Sequence, residues 1–223
     1  MRLARLTTAW ILTALVLTFG GPGLVAQAER SGPAFTRPAA TAQPRVDEHA
    51  CGEALFGPKE LSDKPPFDAL FEEYERPTLQ PECDDFFAKW GKIEDGKKRW
   101  IYPKNNGFEG TPRRTTLEPG RLIDRFGNST GGFLSPAGDP YRERSLPPTN
   151  LNTPANGPQH NYHVYEVVRP FDVDAGRIAA WFSQPGGGVQ FYLNPEYKPT
   201  DDLQPYNVDY LLQQGFVKEI APK

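Results

Sequence analysis

The sequence predicts an α+β, β-rich protein: a small, twisted, mixed or antiparallel sheet with few short helices and a disulfide-closed N-terminal cap. Three observations carry this. From Arg99 onward, aromatic and β-branched residues come in short runs bounded by Gly, Pro and Asn, the signature of short strands joined by turns. The 24 prolines and 21 glycines place much of the chain in loops. Only two cysteines exist, Cys51 and Cys83, and both precede the strand-rich part.

In chain order, Arg2 and Arg5 come first, followed by an apolar run from Ala9 to Leu17 and a small-residue site at Ala26-Gln27-Ala28. This is the order of a secretory signal, so residues 1–28 are expected to be cleaved on export. The apolar run is short for a bilayer and is broken by Gly20, Gly21, Pro22 and Gly23, which argues against an anchor. No later segment is apolar enough to span a membrane, and a secreted location is expected. Residues 29–50 are polar and Pro-rich without apolar period, a flexible leader.

Residues 51–98 read as the cap. Export exposes both cysteines to oxidising conditions, where an isolated pair most simply forms one disulfide, closing a loop of about thirty residues. No Cys-x-x-Cys spacing supports zinc, and no metal is expected. Pro58, Pro65, Pro66, Pro77 and Pro81 punctuate this stretch. A short helix is expected at Phe67 to Tyr74, and a second where Asp84 and Asp85 precede Phe86, Phe87 and Trp90.

Strands are expected at Arg121 to Phe126, Gly132 to Leu134, Tyr162 to Val168, Arg177 to Trp181 and Val189 to Leu193, and a last one at Phe216 to Ile220. Tyr162 to Val168 is apolar on both alternating sets and reads as a central strand. Val208 to Gln214 is the late helix, capped by Gly215.

The full chain carries a formal charge of −3, and loss of residues 1–28 removes two arginines and no acid. A mildly acidic mature protein is a poor nucleic-acid binder. Three stretches hold unusual residue types. Tyr102-Pro103-Lys104-Asn105-Asn106-Gly107-Phe108 contains a tight turn and precedes Ile123-Asp124-Arg125-Phe126-Gly127. Phe133-Leu134-Ser135-Pro136 leads to Arg144-Ser145-Leu146-Pro147-Pro148, where the prolines hold Arg144 in extended or loop structure. Gln184-Pro185-Gly186-Gly187-Gly188-Val189-Gln190 carries three glycines, which indicate a tight turn or a backbone that a ligand approaches closely. It does not match a phosphate loop. Nothing points to a Ser-His-Asp hydrolase, since His49, His160 and His163 accompany no nucleophile elbow.

In this order the blocks resemble the tuberculosis necrotizing toxin family of NAD glycohydrolases, and the cysteine-bearing cap before Phe86 to Trp90 is similar to that of the secreted fungal members. The resemblance implies that residues 99–223 form a catalytic domain that splits NAD+, with NADP+ as an alternative substrate, into the ADP-ribose moiety and nicotinamide, with no cofactor beyond this substrate and no metal in the chemistry. It implies that Arg125 and Arg144 grip the substrate and that Gln190 is required for activity. Phe133, Trp181, Gln184 and Tyr162 are expected beside the substrate, and His160 or His163 is a further candidate. An immunity or inhibitor protein is the partner that some members have. The chemistry agrees with these residue types: nicotinamide leaves from a cationic ring without a general acid, arginines can bind a diphosphate, and a neutral Gln190 can bind ribose hydroxyls or water. Glu143 and Glu166 remain rivals for that last role. An ADP-ribosyltransferase and a non-catalytic surface module are the competing functions.

Overall fold

The computed structural model describes residues 48–201 and 203–222. The expected signal and leader up to residue 47 lie outside the described residues. Two helices and a hairpin form the cap. Helix α1 spans Phe67–Leu70 and stops short of the expected Tyr74. Helix α2 spans Glu82–Trp90, with Glu82, Asp84 and Asp85 in its first turn and Lys89 in its last, charges that complement the helix dipole. Strand β1 (Gly91–Glu94) pairs with β2 (Lys97–Trp100) through Asp95 and Gly96, both at positive φ, as a two-residue hairpin turn requires. Cys51 and Cys83 are joined, and Ala50, Phe56, Cys83, Trp100 and Phe182 bury one another around that bond.

Beyond the cap, seven strands form one sheet: β3 (Arg113–Leu117), β4 (Leu122–Phe126), β5 (Phe133–Pro136), β6 (Tyr162–Val167), β7 (Phe171–Arg177), β8 (Val189–Tyr192) and β9 (Val217–Ile220). Their order is β3-β7-β8-β5-β4-β6-β9 and every pairing is antiparallel. Tyr162 to Val167 lies inside the sheet, paired on both sides. Two expectations are corrected. The strand placed at Arg177 to Trp181 is β7, which ends at Arg177; Asp172 and Asp174 masked its alternation of Phe171, Val173 and Ala175. Strand β3 was missed because its polar residues suit an edge, paired with β7 alone.

Helix α3 (Val208–Gln213) starts at Asn207, whose side chain accepts from the Tyr210 N–H, and Gly215 follows it at positive φ. Val208, Tyr210 and Leu211 pack on Ile123, Leu134, Tyr165, Val173 and Phe191, the apolar face of the sheet. The other face buries Phe126, Tyr162 and Val164 against Tyr141, Leu151 and the cap residues Phe67 and Leu70. Alternation puts Asp124, Phe133, Ser135 and Gln190 on this second face. Cap and core belong to the same packing unit.

Candidate active site

Three irregular segments meet over the second face. The first is Asn105-Asn106-Gly107, where all three residues hold positive φ, a conformation Asn and Gly tolerate best. The Asn105 amide donates to the Phe108 and Gly110 carbonyls and closes the turn. The second is the Gly186-Gly187-Gly188 run. A Cβ on Gly186 would stand 2.7 Å from the Ile178 and Ala179 carbonyls, and one on Gly188 would stand 3.0 Å from the Glu143 carbonyl. These glycines let the chain itself approach closely: Gly187 N–H donates to Ile178 and Gly188 N–H to Glu143. The third is the loop from Tyr141 to Leu146, which that last bond ties to the start of β8.

Between the three segments lies a cavity of about 190 Å³ lined by Tyr102, Pro103, Asn106, Gly107, Phe133, Arg144, Ser145, Leu146, Ile178 and Gln190. Its floor is buried at Gly107, Arg144, Ser145, Ile178 and Gln190, while Tyr102, Asn106 and Phe133 stand exposed at the rim. Phe133 stacks on Tyr192, and the Tyr102 ring meets Phe182 edge-on. A smaller recess adjoins it, sharing Phe133, Arg144, Leu146, Ile178 and Gln190 and adding Asp124, Arg125 and Ser135.

Gln190 is held in one sense. Its Nε2 donates to the Asn106 carbonyl at 2.8 Å, so the left-handed turn exists in part to present that acceptor. Its Oε1 lies beside Gly107, where a Cβ would stand 3.7 Å away. Ser145 is fixed in the same way. Its hydroxyl donates to the Ala179 carbonyl at 2.7 Å, leaving the oxygen lone pairs as acceptors, and its φ of 51° is unusual for a residue other than Gly or Asn. Gly176, opposite Gln190 on β7, gives the Phe108 ring room, since a Cβ there would stand 2.8 Å from it.

Arg144 forms the deepest part of the floor. Its Nη1 and Nη2 grip both oxygens of Asp124, and its Nε and Nη2 donate to the Asp139 carbonyl at 3.0 and 2.6 Å. The two side chains are 2% and 0% exposed. Asp124 accepts two further bonds, from the Tyr162 hydroxyl at 2.7 Å and Gly138 N–H at 2.9 Å. Burial works against the Arg144 charge, but Asp124 beside it holds the guanidinium above its ordinary value. Four of the five N–H groups of Arg144 are therefore spent on protein, and its charge is matched.

The remaining predicted residues divide. Phe133 lines the cavity with Gln190 and Arg144. Arg125 borders the recess, yet alternation along β4 sends its side chain to the face opposite Asp124. Its guanidinium donates to the Asn128 and Phe133 carbonyls and lies against Gly131, where a Cβ would collide with it. Burial lowers its pKa, and no carboxylate pairs with it among the described residues. Arg125 braces the β4–β5 turn; the two arginines do not face each other as a diphosphate clamp.

Tyr162, Trp181 and Gln184 lie outside the cavity lining. Tyr162 sits behind the floor, bound to Asp124. Trp181 donates to the Ile101 carbonyl and packs on Trp90. Gln184 donates to the Leu146 carbonyl from beneath the wall, with its Oε1 buried and without a partner. His160 joins cap to core: its Nε2 accepts from Ser62 N–H and its Nδ1 faces the Leu151 carbonyl. His163 pairs with Glu219 on the α3 face. Glu166 pairs with Lys218, and neither it nor the Glu143 side chain contributes to the lining beyond the backbone contact at Gly188. The residues that sequence reading passed over are Tyr102, Asn106, Ser145, Ile178 and Asp124. Four of them stand inside the blocks that carried the resemblance, so the signal was present in the blocks and absent from any single residue type.

Residues 116–220 match the family model described as tuberculosis necrotizing toxin. A conidial surface nicotinamide adenine dinucleotide glycohydrolase of Aspergillus fumigatus, nadA, is 43% identical over 152 residues, 65% of this chain and 64% of that protein. The match thus spans somewhat less than two thirds of that relative's length. The solved structure of tuberculosis necrotizing toxin complexed with its immunity factor IFT is similar in fold, with a TM-score of 0.50 and 18% identity, covering 81% of this chain and 96% of that one.

Proposed function

We propose that this chain is an NAD+ glycohydrolase acting outside the cell that exports it, a reading supported by the match of residues 116–220 to the family model described as tuberculosis necrotizing toxin. The relative that is 43% identical bears that activity and a surface location in its name. The observation that carries the reading is Gln190, a neutral side chain whose amide nitrogen is tied to Asn106 and whose oxygen is presented in a largely apolar cavity.

A cavity of about 190 Å³ is smaller than the usual pocket for a drug-sized ligand and so takes one end of a dinucleotide. Flat apolar walls at Tyr102, Phe133, Leu146 and Ile178 suit the nicotinamide ring, and an aromatic face near a pyridinium is favourable until the bond breaks. As the C1′–N bond lengthens, its electron pair passes to the ring nitrogen and nicotinamide leaves neutral. Gln190 Oε1 accepts from a ribose hydroxyl or from the water that attacks C1′, and a proton goes to solvent. Water and NAD+ give ADP-ribose, nicotinamide and one proton.

The lining contains one carboxylate, Asp124, and Arg144 neutralises it. A transferase that activates an acceptor with a glutamate would need one free in the cleft, so hydrolysis is favoured over ADP-ribosylation. The toxin of similar fold was solved with an immunity factor; an inhibitor protein that covers this cleft is a partner of the same kind. Chromatography of NAD+ incubated with the protein tests the reading: nicotinamide and free ADP-ribose should appear in equal amounts. Intact NAD+, or label from the adenylate transferred to protein, overturns it.

A further inference from the structure

A second buried acceptor lies on the cavity floor, and hydrolysis assisted by Gln190 gives it no task. Ser145 is buried, held at a φ of 51°, and spends its only hydrogen on the Ala179 carbonyl. A left-handed backbone at such a residue costs free energy that the surrounding structure must offset, and such positions gather at ligand-binding sites. The Ser145 oxygen is therefore a fixed acceptor on the floor, with the Gln190 oxygen on the same floor. Ser145 has its one donor consumed by a backbone carbonyl and leaves an oxygen that can only accept, while Gln190 gives one of its two amide N–H groups to Asn106 and presents its Oε1 as a second acceptor.

The third buried polar group, Arg144, does not reverse this. Its side chain is 2% exposed, and Asp124 matches its charge within the same wall. A floor of this kind is matched by a ligand that brings N–H or O–H groups. It is mismatched by a carboxylate, which is itself acceptor-only and would lose its water while facing the Ser145 and Gln190 oxygens and the nearby Asp124.

Resting on the NAD+ reading, we infer that Ser145 Oγ accepts a hydrogen bond from the carboxamide N–H of the nicotinamide ring, and that the cleft thereby distinguishes a carboxamide from a carboxylate. The ring enters between the apolar walls, and its carboxamide is the one polar substituent it carries. NAD+ is then a substrate, and the dinucleotide bearing nicotinic acid is excluded. A site built to bond an N–H rejects an analogue that lacks it strongly, because the buried partner is left unpaired. The expected ratio of kcat/KM between the two dinucleotides is at least about 100.

The experiment compares release of the free base from NAD+ and from nicotinic acid adenine dinucleotide by the exported protein, with product binding measured separately by titrating nicotinamide and nicotinic acid. Selective cleavage of NAD+ and binding of nicotinamide alone are expected. Comparable cleavage of both dinucleotides overturns this inference and leaves the NAD+ reading intact, whereas cleavage of neither overturns both. Ser145→Gly suits the left-handed backbone and removes only the hydroxyl. It should narrow the ratio by about 10-fold, mainly through a higher KM for NAD+, with a melting curve confirming that the variant is folded. Ser145→Asn, which also tolerates this backbone, brings an amide that can donate and should restore some cleavage of the acid dinucleotide. An unchanged ratio in both folded variants assigns the discrimination elsewhere and overturns the role given to Ser145.

Discussion

On the α3 side of the sheet, Ile123, Leu134, Tyr165, Val173 and Phe191 are buried together, with Arg125 only at the margin. The same strands bury Asp124, Ser135 and Gln190 on the opposite side, against Arg144 and Ser145. The first layer is held by volume, which many apolar combinations can fill. The second is held by partner counting, since each buried polar atom must meet a particular donor or acceptor. Tyr162 is the join between structure and site: it belongs to the apolar cluster under the cap, and its hydroxyl fixes Asp124 behind the cavity floor.

The largest test of this difference is Arg144→Ala. It leaves Asp124 fully buried with its charge unmatched, and breaking a buried pair from one side costs about 3–5 kcal/mol. Urea denaturation should show a loss of that order. A variant within experimental error of the parent would mean that the pair does not hold the floor. Arg144→Lys keeps the charge but not the planar fork that grips both Asp124 oxygens, and its loss should be intermediate.

Gln190→Ala probes the same face differently. The Asn106 carbonyl it frees is on an exposed residue and can turn to water, so stability should change little. If the Gln190 oxygen is bonded more strongly in the transition state than in the bound substrate, kcat should fall by roughly 100-fold to 1,000-fold with KM little altered. Steady-state kinetics on the folded variant decide this, and parental kcat would assign the role to another residue.

The sheet was legible in the sequence wherever aromatic and β-branched residues came in short runs bounded by turn residues: Leu122 to Phe126, Tyr162 to Val167 and Val189 to Tyr192. Strand β7 was not, because Asp172 and Asp174 sit on its second face and have partners that no local pattern reveals, Arg114 and Thr116 for one, Asn194 and Tyr197 for the other. The Asp95-Gly96 hairpin carried a plain turn signal, but its charged strands hid it. The same reason limits the site. Convergence of Phe133, Arg144 and Gln190 followed from the blocks, whereas the engagement of Arg144 with Asp124 depends on a contact across 20 residues of chain. Whether an arginine is free to meet an anion is a property of its neighbours in space, and for this one the neighbours had already claimed it.

On the apolar face, Ile123→Val should cost only about 0.5–1.5 kcal/mol, the usual cost of one buried methyl group. With Asp124 next in the chain but on the other face, kcat should stay at the parental value. A folded Ile123→Val protein with kcat changed as much as in Gln190→Ala would show that the two faces are not independent.

The smallest effect concerns the seam between cap and core. His160 is buried between Phe67 and Phe71, and its Nε2 accepts from Ser62 N–H, a bond that only an unprotonated nitrogen can make. Burial lowers its pKa from the ordinary histidine value, with the Leu151 carbonyl acting in the opposite sense. The folded protein therefore binds this proton less readily than the unfolded chain. Its contribution to stability is constant at high pH, where both states are neutral. It falls as the pH drops through about 6.5, where the unfolded histidine takes up its proton, and levels off below the folded value. His160→Asn removes the titrating ring, so stability measured from pH 8 to 5 should decline less steeply in the variant than in the parent. Because the histidine lines no part of the cleft, kcat should carry no matching change in pH dependence. Parallel stability curves for variant and parent would show that His160 does not set the acid sensitivity of the seam.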